Sequence, residues 1–222
     1  MTHTQSIPTD ALICMHDYAA RYHYRINLAY ATDDNLLFGE RIYKHTAKLW
    51  LHQDLANIVF KAADHCFRTY SCCFVLYDGL RTVEAQEKMM RTKRARDNPH
   101  WMEPPRLLSP AGAGGHPRGM AIDIGLETID GDIIDMGCAF DDLADNPHPD
   151  HNPAHRTHPH SESVTQNRAI LDTSMTNAAR QLQTPLHFLS EEWWDFRLPS
   201  ATYSQYTPLS DNDLPEHIRM VK

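Results

Sequence analysis

The sequence predicts an α+β fold with an antiparallel central sheet flanked by helices, and three observations carry that expectation. Short stretches rich in β-formers alternate or run continuously apolar: "YRINLAYAT" (24–32), "CCFVLYD" (72–78) and "MAIDIGLE" (120–127). Two longer stretches, about 40–70 and 163–183, repeat apolar residues at helical spacing. The strands come as hairpins and the helices in blocks, not as alternating parallel units. No internal repeat and no second hydrophobic unit is present, so residues 1–222 read as a single domain, long enough to bury a core without staples.

Taken in order, residues 1–20 read as a loosely held lead-in. Ile26, Leu28 and Tyr30 share one face of the first strand, and "DDNLLFG" turns the chain. Leu49, Leu55, Ile58, Val59, Ala62, Cys66 and Phe67 form the stripe of a long helix from about Glu40 to Tyr70. "CCFVLYD" is a central strand closed by the turn signal Asp78-Gly79. Thr82 caps the next helix, "VEAQEKMMRTKRAR", whose acids come early and bases late, as the helix dipole favours. The proline- and glycine-rich "DNPHWMEPPRLLSPAGAGG" is a loop that delivers the chain to His116. "MAIDIGLE" is a strand, and "DGD" turns it back into "IIDMG". Residues 144–162 form a polar insertion carrying His148, His151, His155, His158 and His160, followed by the helix at 163–183 and the β-prone "LHFLSEEWWDFRL".

Composition narrows the function classes. Hydrophobic residues are 41% and charged residues 23%, and the formal charge is −8. An acidic surface argues against a nucleic-acid partner, since phosphate binding needs a basic face. No apolar run approaches the ~20 residues of a membrane span, and the start shows no basic region followed by an apolar one. The chain therefore reads as cytoplasmic, with no membrane partner, or as periplasmic if a leader was removed. Cys14, Cys66, Cys72, Cys73 and Cys138 are odd in number and form no C-x-x-C pair, so they read as thiols of a reducing compartment.

Chemistry concentrates in two places. In "GGHPRGMAIDIG", His116 ends a glycine-rich loop and Asp123 lies inside the following strand. Imidazole and carboxylate groups on rigid backbone suit a zinc ion with one open position, although a satisfied surface pair has the same spacing. In "SEEWWDFRLP", Asp195 offers another oxygen and Glu192 a general base. A regular strand would point these two to opposite faces, so the strand starts after Glu192 or is bulged there. The bland alternative is an edge strand whose tryptophans pack and whose acids stay wet. Arg81, likewise, reads either as a functional cation or as the partner of Asp78.

Five blocks in order, "YAT-DN" (30–35), "YDGLR" (77–81), "GHPRGMAID" (115–123), "DMGCAFDDL" (135–143) and "SEEWWDF" (190–196), resemble the D-alanyl-D-alanine dipeptidases. The resemblance runs from about residue 24 to 198. It implies an α+β domain with one catalytic zinc and a small dipeptide substrate. The pattern H-x-x-G-x-A-x-D falls on His116 and Asp123, the base of E-W-W-H on Glu192, and an oxyanion-stabilising arginine on Arg81. Tyr30 and Asp141 match positions lining the dipeptide pocket. Three departures stand out. The family's third ligand is histidine, and here it is Asp195. Gly114 and Gly115 replace a serine before the histidine, and Thr82 replaces a proline. A second carboxylate should weaken the Lewis acid and favour harder metals than zinc. The alternatives are a related peptidoglycan carboxypeptidase or endopeptidase, a lapsed hydrolase that only binds, and metal storage on the histidine-rich insertion.

Overall fold

The computed structural model describes residues 4–104, 106–143, 146 and 148–222. Met1–His3 of the lead-in and Ala144, Asp145 and Pro147 of the histidine-rich insertion lie outside the described residues. The elements run β1 (Leu12–Cys14), α1 (Ala19–Tyr22), β2 (Tyr24–Ile26), β3 (Trp50–His52), α2 (Gln53–Tyr70), β4 (Cys72–Asp78), α3 (Val83–Met90), α4 (Lys93–Asp97), β5 (Ala121–Thr128), α5 (Glu162–Gln181), β6 (His187–Phe188), β7 (Asp195–Arg197) and α6 (Ser200–Tyr203). The main sheet has the order β2-β4-β5-β7-β6, and β1 pairs with β3 separately. Every pairing in the main sheet is antiparallel except β2 with β4. The fold is thus the α+β class expected, with one parallel edge.

Helix α2 packs on β4 and against α5, so one face of the sheet is roofed by the two long helices. The stripe of α2, led by Leu55, Ile58, Val59, Ala62 and Cys66, is fully buried. Core residues join in a continuous apolar cluster that includes Phe74, Leu76, Ile122, Ile124, Leu171 and Phe196. Among the described residues no helix is long and apolar enough to cross a membrane.

The expected helix at 40–70 begins late. Leu49 is fully buried, but residues 50–52 form β3, all three buried and paired with β1. Leu49 lies just before that strand, and it matched the helical period because an apolar run buried on both faces looks the same in sequence. His52 then caps α2, its Nδ1 accepting from the Asp54 amide at 3.3 Å. This pairing also ties down the described part of the lead-in, where Met15 is fully buried. The helix expected after Thr82 is two helices. Thr82 has cap backbone geometry, yet its hydroxyl makes no cap bond, whereas Thr92 caps α4 through Ala95 N. Strand "YRINLAYAT" ends at Ile26, and Ala29–Ala31 is a tight helical turn. "DGD" does turn the chain, but "IIDMG" returns with a single bridge, Ile133 to Glu127.

Candidate metal and hydrolytic site

Strand register lays three aspartates side by side. Asp78 on β4 is opposite Asp123 on β5, and Asp123 is opposite Asp195 on β7. Asp78 reaches that position through an irregularity. Leu76 pairs with Ile124, so two further residues on β4 advance only one on β5. A bulge of this kind re-aims the strand end, and it turns Asp78 toward Asp123. All three carboxylates are buried, at most 2% exposed. Like charges in adjacent register repel, so such a row persists only with cations around it.

Two arginines supply part of that charge. Arg81 donates from Nε and Nη2 to the same Asp78 oxygen, at 3.0 and 2.8 Å, while Tyr43 donates to the other at 2.6 Å. Its Nη2 also lies 3.7 Å from Asp123. Arg81 therefore pairs with Asp78, as one sequence reading had it, and it also lines the cavity. Arg197 forks onto Asp195, with Nε to Oδ1 at 2.6 Å and Nη2 to Oδ2. Burial opposes the Asp195 charge, but Arg197 outweighs it and holds this carboxyl far below its ordinary range.

His116 enters from a tight turn, His116–Arg118, closed by Gly119 at φ +62°. A side chain at Gly119 would meet the His52 amide nitrogen at 2.9 Å, the same amide that donates to Gly119 O, so only glycine fits. Buried Arg118 stiffens the preceding loop by donating to the carbonyls of Gly112, Gly114 and Tyr206. The His116 Nδ1–H donates to Gly79 O at 2.8 Å. That bond fixes the tautomer and leaves the Nε2 lone pair toward Asp123 (3.7 Å) and Asp195 (3.4 Å). Asp123 Oδ1 is buried without a hydrogen-bond partner. Burial first, then Asp195 and Asp78, push the Asp123 carboxyl well above its ordinary range.

Donor atoms of Asp78, His116 and Asp123 lie within 4.8 Å of one another, as do those of Asp123, Glu192 and Asp195. An orphaned carboxylate oxygen beside an oriented imidazole nitrogen fits a divalent cation, and no hydrogen-bond donor among the described residues engages that oxygen.

Glu192 and Asp195 do not share a strand. β7 starts at Asp195, and a turn before it bonds Asp195 N to Glu192 O. The turn removes the opposite-face problem and brings both acids to one cavity. Glu192 accepts from Trp194 Nε1 at 3.0 Å, and Trp194 is wedged edge-on against Trp193 and Phe140. Burial, then Asp195, raise the Glu192 carboxyl to about 7. Glu191 also reaches the lining, but its side chain accepts from Ser190 Oγ.

The cavity itself is about 300 Å³, at the small end of the range for small-molecule sites. Tyr30 and Asp141 line it, with Tyr30 Oη donating to Asp141 Oδ1 at 3.1 Å and Arg81 over the Tyr30 ring. Asp141 takes a left-handed backbone (φ +64°), and its Oδ2 is buried without a partner. Its carboxyl is pushed up to about 8, chiefly by burial. All seven residues singled out from the sequence thus line one cavity. At Gly114, where a serine was missed, an added side chain would meet nothing within 4 Å.

Sequence reasoning missed Asp78 as part of the row, and it missed Arg197 and Arg156. An arginine two residues from Asp195 lies on the same strand face, which was a readable signal for Arg197. Arg156 had none. It comes from the histidine-rich insertion and donates to Leu189 O, Asp172, Trp193 O and Asp195 O, with its guanidinium carbon over both the Phe188 and Phe196 rings. Asn152 adds a bond to Glu191 O. The described part of the insertion is therefore a brace for the segment bearing Glu192 and Asp195. Among the described residues its histidines form no cluster with metal-binding spacing.

The M15 peptidase family model, described as D-ala-D-ala dipeptidase, matches residues 13–211. The D-alanyl-D-alanine dipeptidase of Escherichia coli (strain K12) is 30% identical over 187 residues, covering 84% of this chain and 83% of that protein. A solved structure, the L-Ala D-Glu endopeptidase ChiX of Serratia marcescens, overlaps 69% of this chain and 84% of its own, at 17% identity and a TM-score of 0.41.

Proposed function

Because the chain belongs to the D-Ala-D-Ala dipeptidase family of M15 peptidases, and so is a peptidase, we propose that it hydrolyses D-Ala-D-Ala or a closely similar dipeptide. His116, Asp123 and Asp195 would hold a divalent cation, zinc by the family pattern. The observation that carries this reading is the orphaned Asp123 oxygen facing an imidazole nitrogen whose orientation is already set. A cation bound there supplies Lewis-acid activation of water and of the scissile carbonyl.

The remaining chemistry belongs to the chain. Glu192, held by Trp194 and raised to about 7, is poised to take a proton from the attacking water near neutral pH and return it to the leaving amine nitrogen. Arg81, kept in place by Asp78 and the Tyr30 ring, presents fixed positive charge to the oxyanion that develops at the carbonyl. The free Asp141 oxygen, with Tyr30 orienting its partner, suits the ammonium end of a small peptide. A cavity of about 300 Å³ favours a dipeptide over a polymer.

Glu192→Gln tests the assignment, because glutamine keeps an acceptor for Trp194 and loses the proton shuttle. We expect unchanged zinc content and fold, with turnover of D-Ala-D-Ala reduced at least ~100-fold. Turnover within about threefold of wild type would remove Glu192 from the mechanism. A tripeptide assayed in parallel separates the dipeptidase from a carboxypeptidase or endopeptidase.

A further inference from the structure

The aspartate at the third ligand position raises a charge problem that the structure answers two residues downstream. Asp195 and Arg197 point to one face of β7, and the guanidinium fork engages both carboxylate oxygens. Asp195 is fully buried, and the Arg197 side chain is 19% exposed. The pair therefore carries no net charge in a setting that screens little. Asp78 is likewise neutralised by Arg81, which leaves Asp123 as the acid of the row without a dedicated cation.

We propose that Arg197 is a positioning residue that makes Asp195 equivalent, in charge, to a neutral imidazole. The inference rests on the metal reading above and goes beyond it. Two carboxylates were expected to cancel the cation's charge. With Arg197 on Asp195, a dication at His116, Asp123 and Asp195 keeps the net charge of a site with two histidines and one aspartate. The substitution of histidine by aspartate and the presence of Arg197 then form one unit, and changing either alone unbalances the site.

The test is a chelator-competition titration of Zn²⁺ on the full chain and four variants, with thermal unfolding of each as the fold check. Arg197→Met leaves Asp195 uncompensated and should tighten zinc by about tenfold or more. Asp195→His leaves Arg197 as a bare cation beside the site and should weaken zinc by about tenfold or more. The double variant D195H/R197M removes both charges and should return to within about threefold of wild type, a coupling of opposite single effects. Arg197→Lys, which keeps the charge without the fork, should also stay within about threefold. If R197M fails to fold, D195H against D195H/R197M still decides the matter, since the double variant buries no unpaired charge.

Zinc weakened by Arg197→Met would make the arginine a mere prop for the ligand and overturn the proposal. So would Asp195→His binding zinc as tightly as wild type. A wild-type chain that takes up no zinc would overturn the metal reading itself, whatever the variants do.

Discussion

Replacing Arg156 by alanine removes four hydrogen bonds from one guanidinium, to Leu189 O (2.9 Å), Asp172 (2.6 Å), Trp193 O (2.9 Å) and Asp195 O (3.0 Å). It also removes the guanidinium from over the Phe188 and Phe196 rings, each about 5 Å from its central carbon. Bonds to a charged donor contribute about 1.5–3 kcal/mol each when buried. The Arg156 side chain is only 13% exposed, but Asp172 is 36% exposed and water can replace that partner. Since bonds sharing one group are not additive, about 4 kcal/mol is a reasonable total. For a chain of this length that lowers the Tm by about 8–16 °C. Two of the lost acceptors belong to the residues flanking Trp194, so Glu192 and Asp195 lose their placement and zinc affinity should fall by about tenfold or more. Arg156→Lys can reach one or two of the four acceptors and should fall between. The assays are thermal unfolding with and without zinc, and chelator competition. A Tm loss under about 3 °C with zinc affinity unchanged would refute the brace.

Other expectations follow from the same site. Asp141 is pushed up to about 8 in the fold against about 3.9 in an unfolded chain, so the folded state holds an extra proton between those values. Its contribution is intact below about pH 4 and is lost as pH rises through 8, with a ceiling of about 6 kcal/mol. Asp141→Asn keeps an acceptor for Tyr30 and removes that loss. In metal-free protein the variant should gain stability over wild type steadily from pH 4 to 8, whereas parallel unfolding curves would contradict the assignment. Zinc at about 100 times its Kd should add about 2.7 kcal/mol, or about 5–10 °C in Tm, and a chelator should reverse it. Asp123→Asn should abolish that zinc-dependent gain, and an unchanged gain would place the cation elsewhere.

Much of this molecule was legible in the sequence because its signals are local. The helical stripes of α2 and α5, the β-formers of β4 and β5, and the order of the five blocks are all properties of short stretches. They were enough to name seven residues that line one cavity. What tertiary structure decided is how those stretches meet. The irregularity after Leu76 turns Asp78 into the row, and the start of β7 at Asp195 sends Glu192 and Asp195 to the same side. Whether residues 50–52 belonged to a helix or a strand depended on β1, more than thirty residues away in sequence. Arg156 braces a segment whose last acceptor lies 39 residues further along. Register and side-chain pairing between distant segments depend on which backbone groups become neighbours, and a residue's own flanks carry no record of that. The charge of the site shows the difference most directly. Asp195 read alone predicts a weakened cation site, and Asp195 held by Arg197 does not, because burial lets one guanidinium cancel one carboxylate.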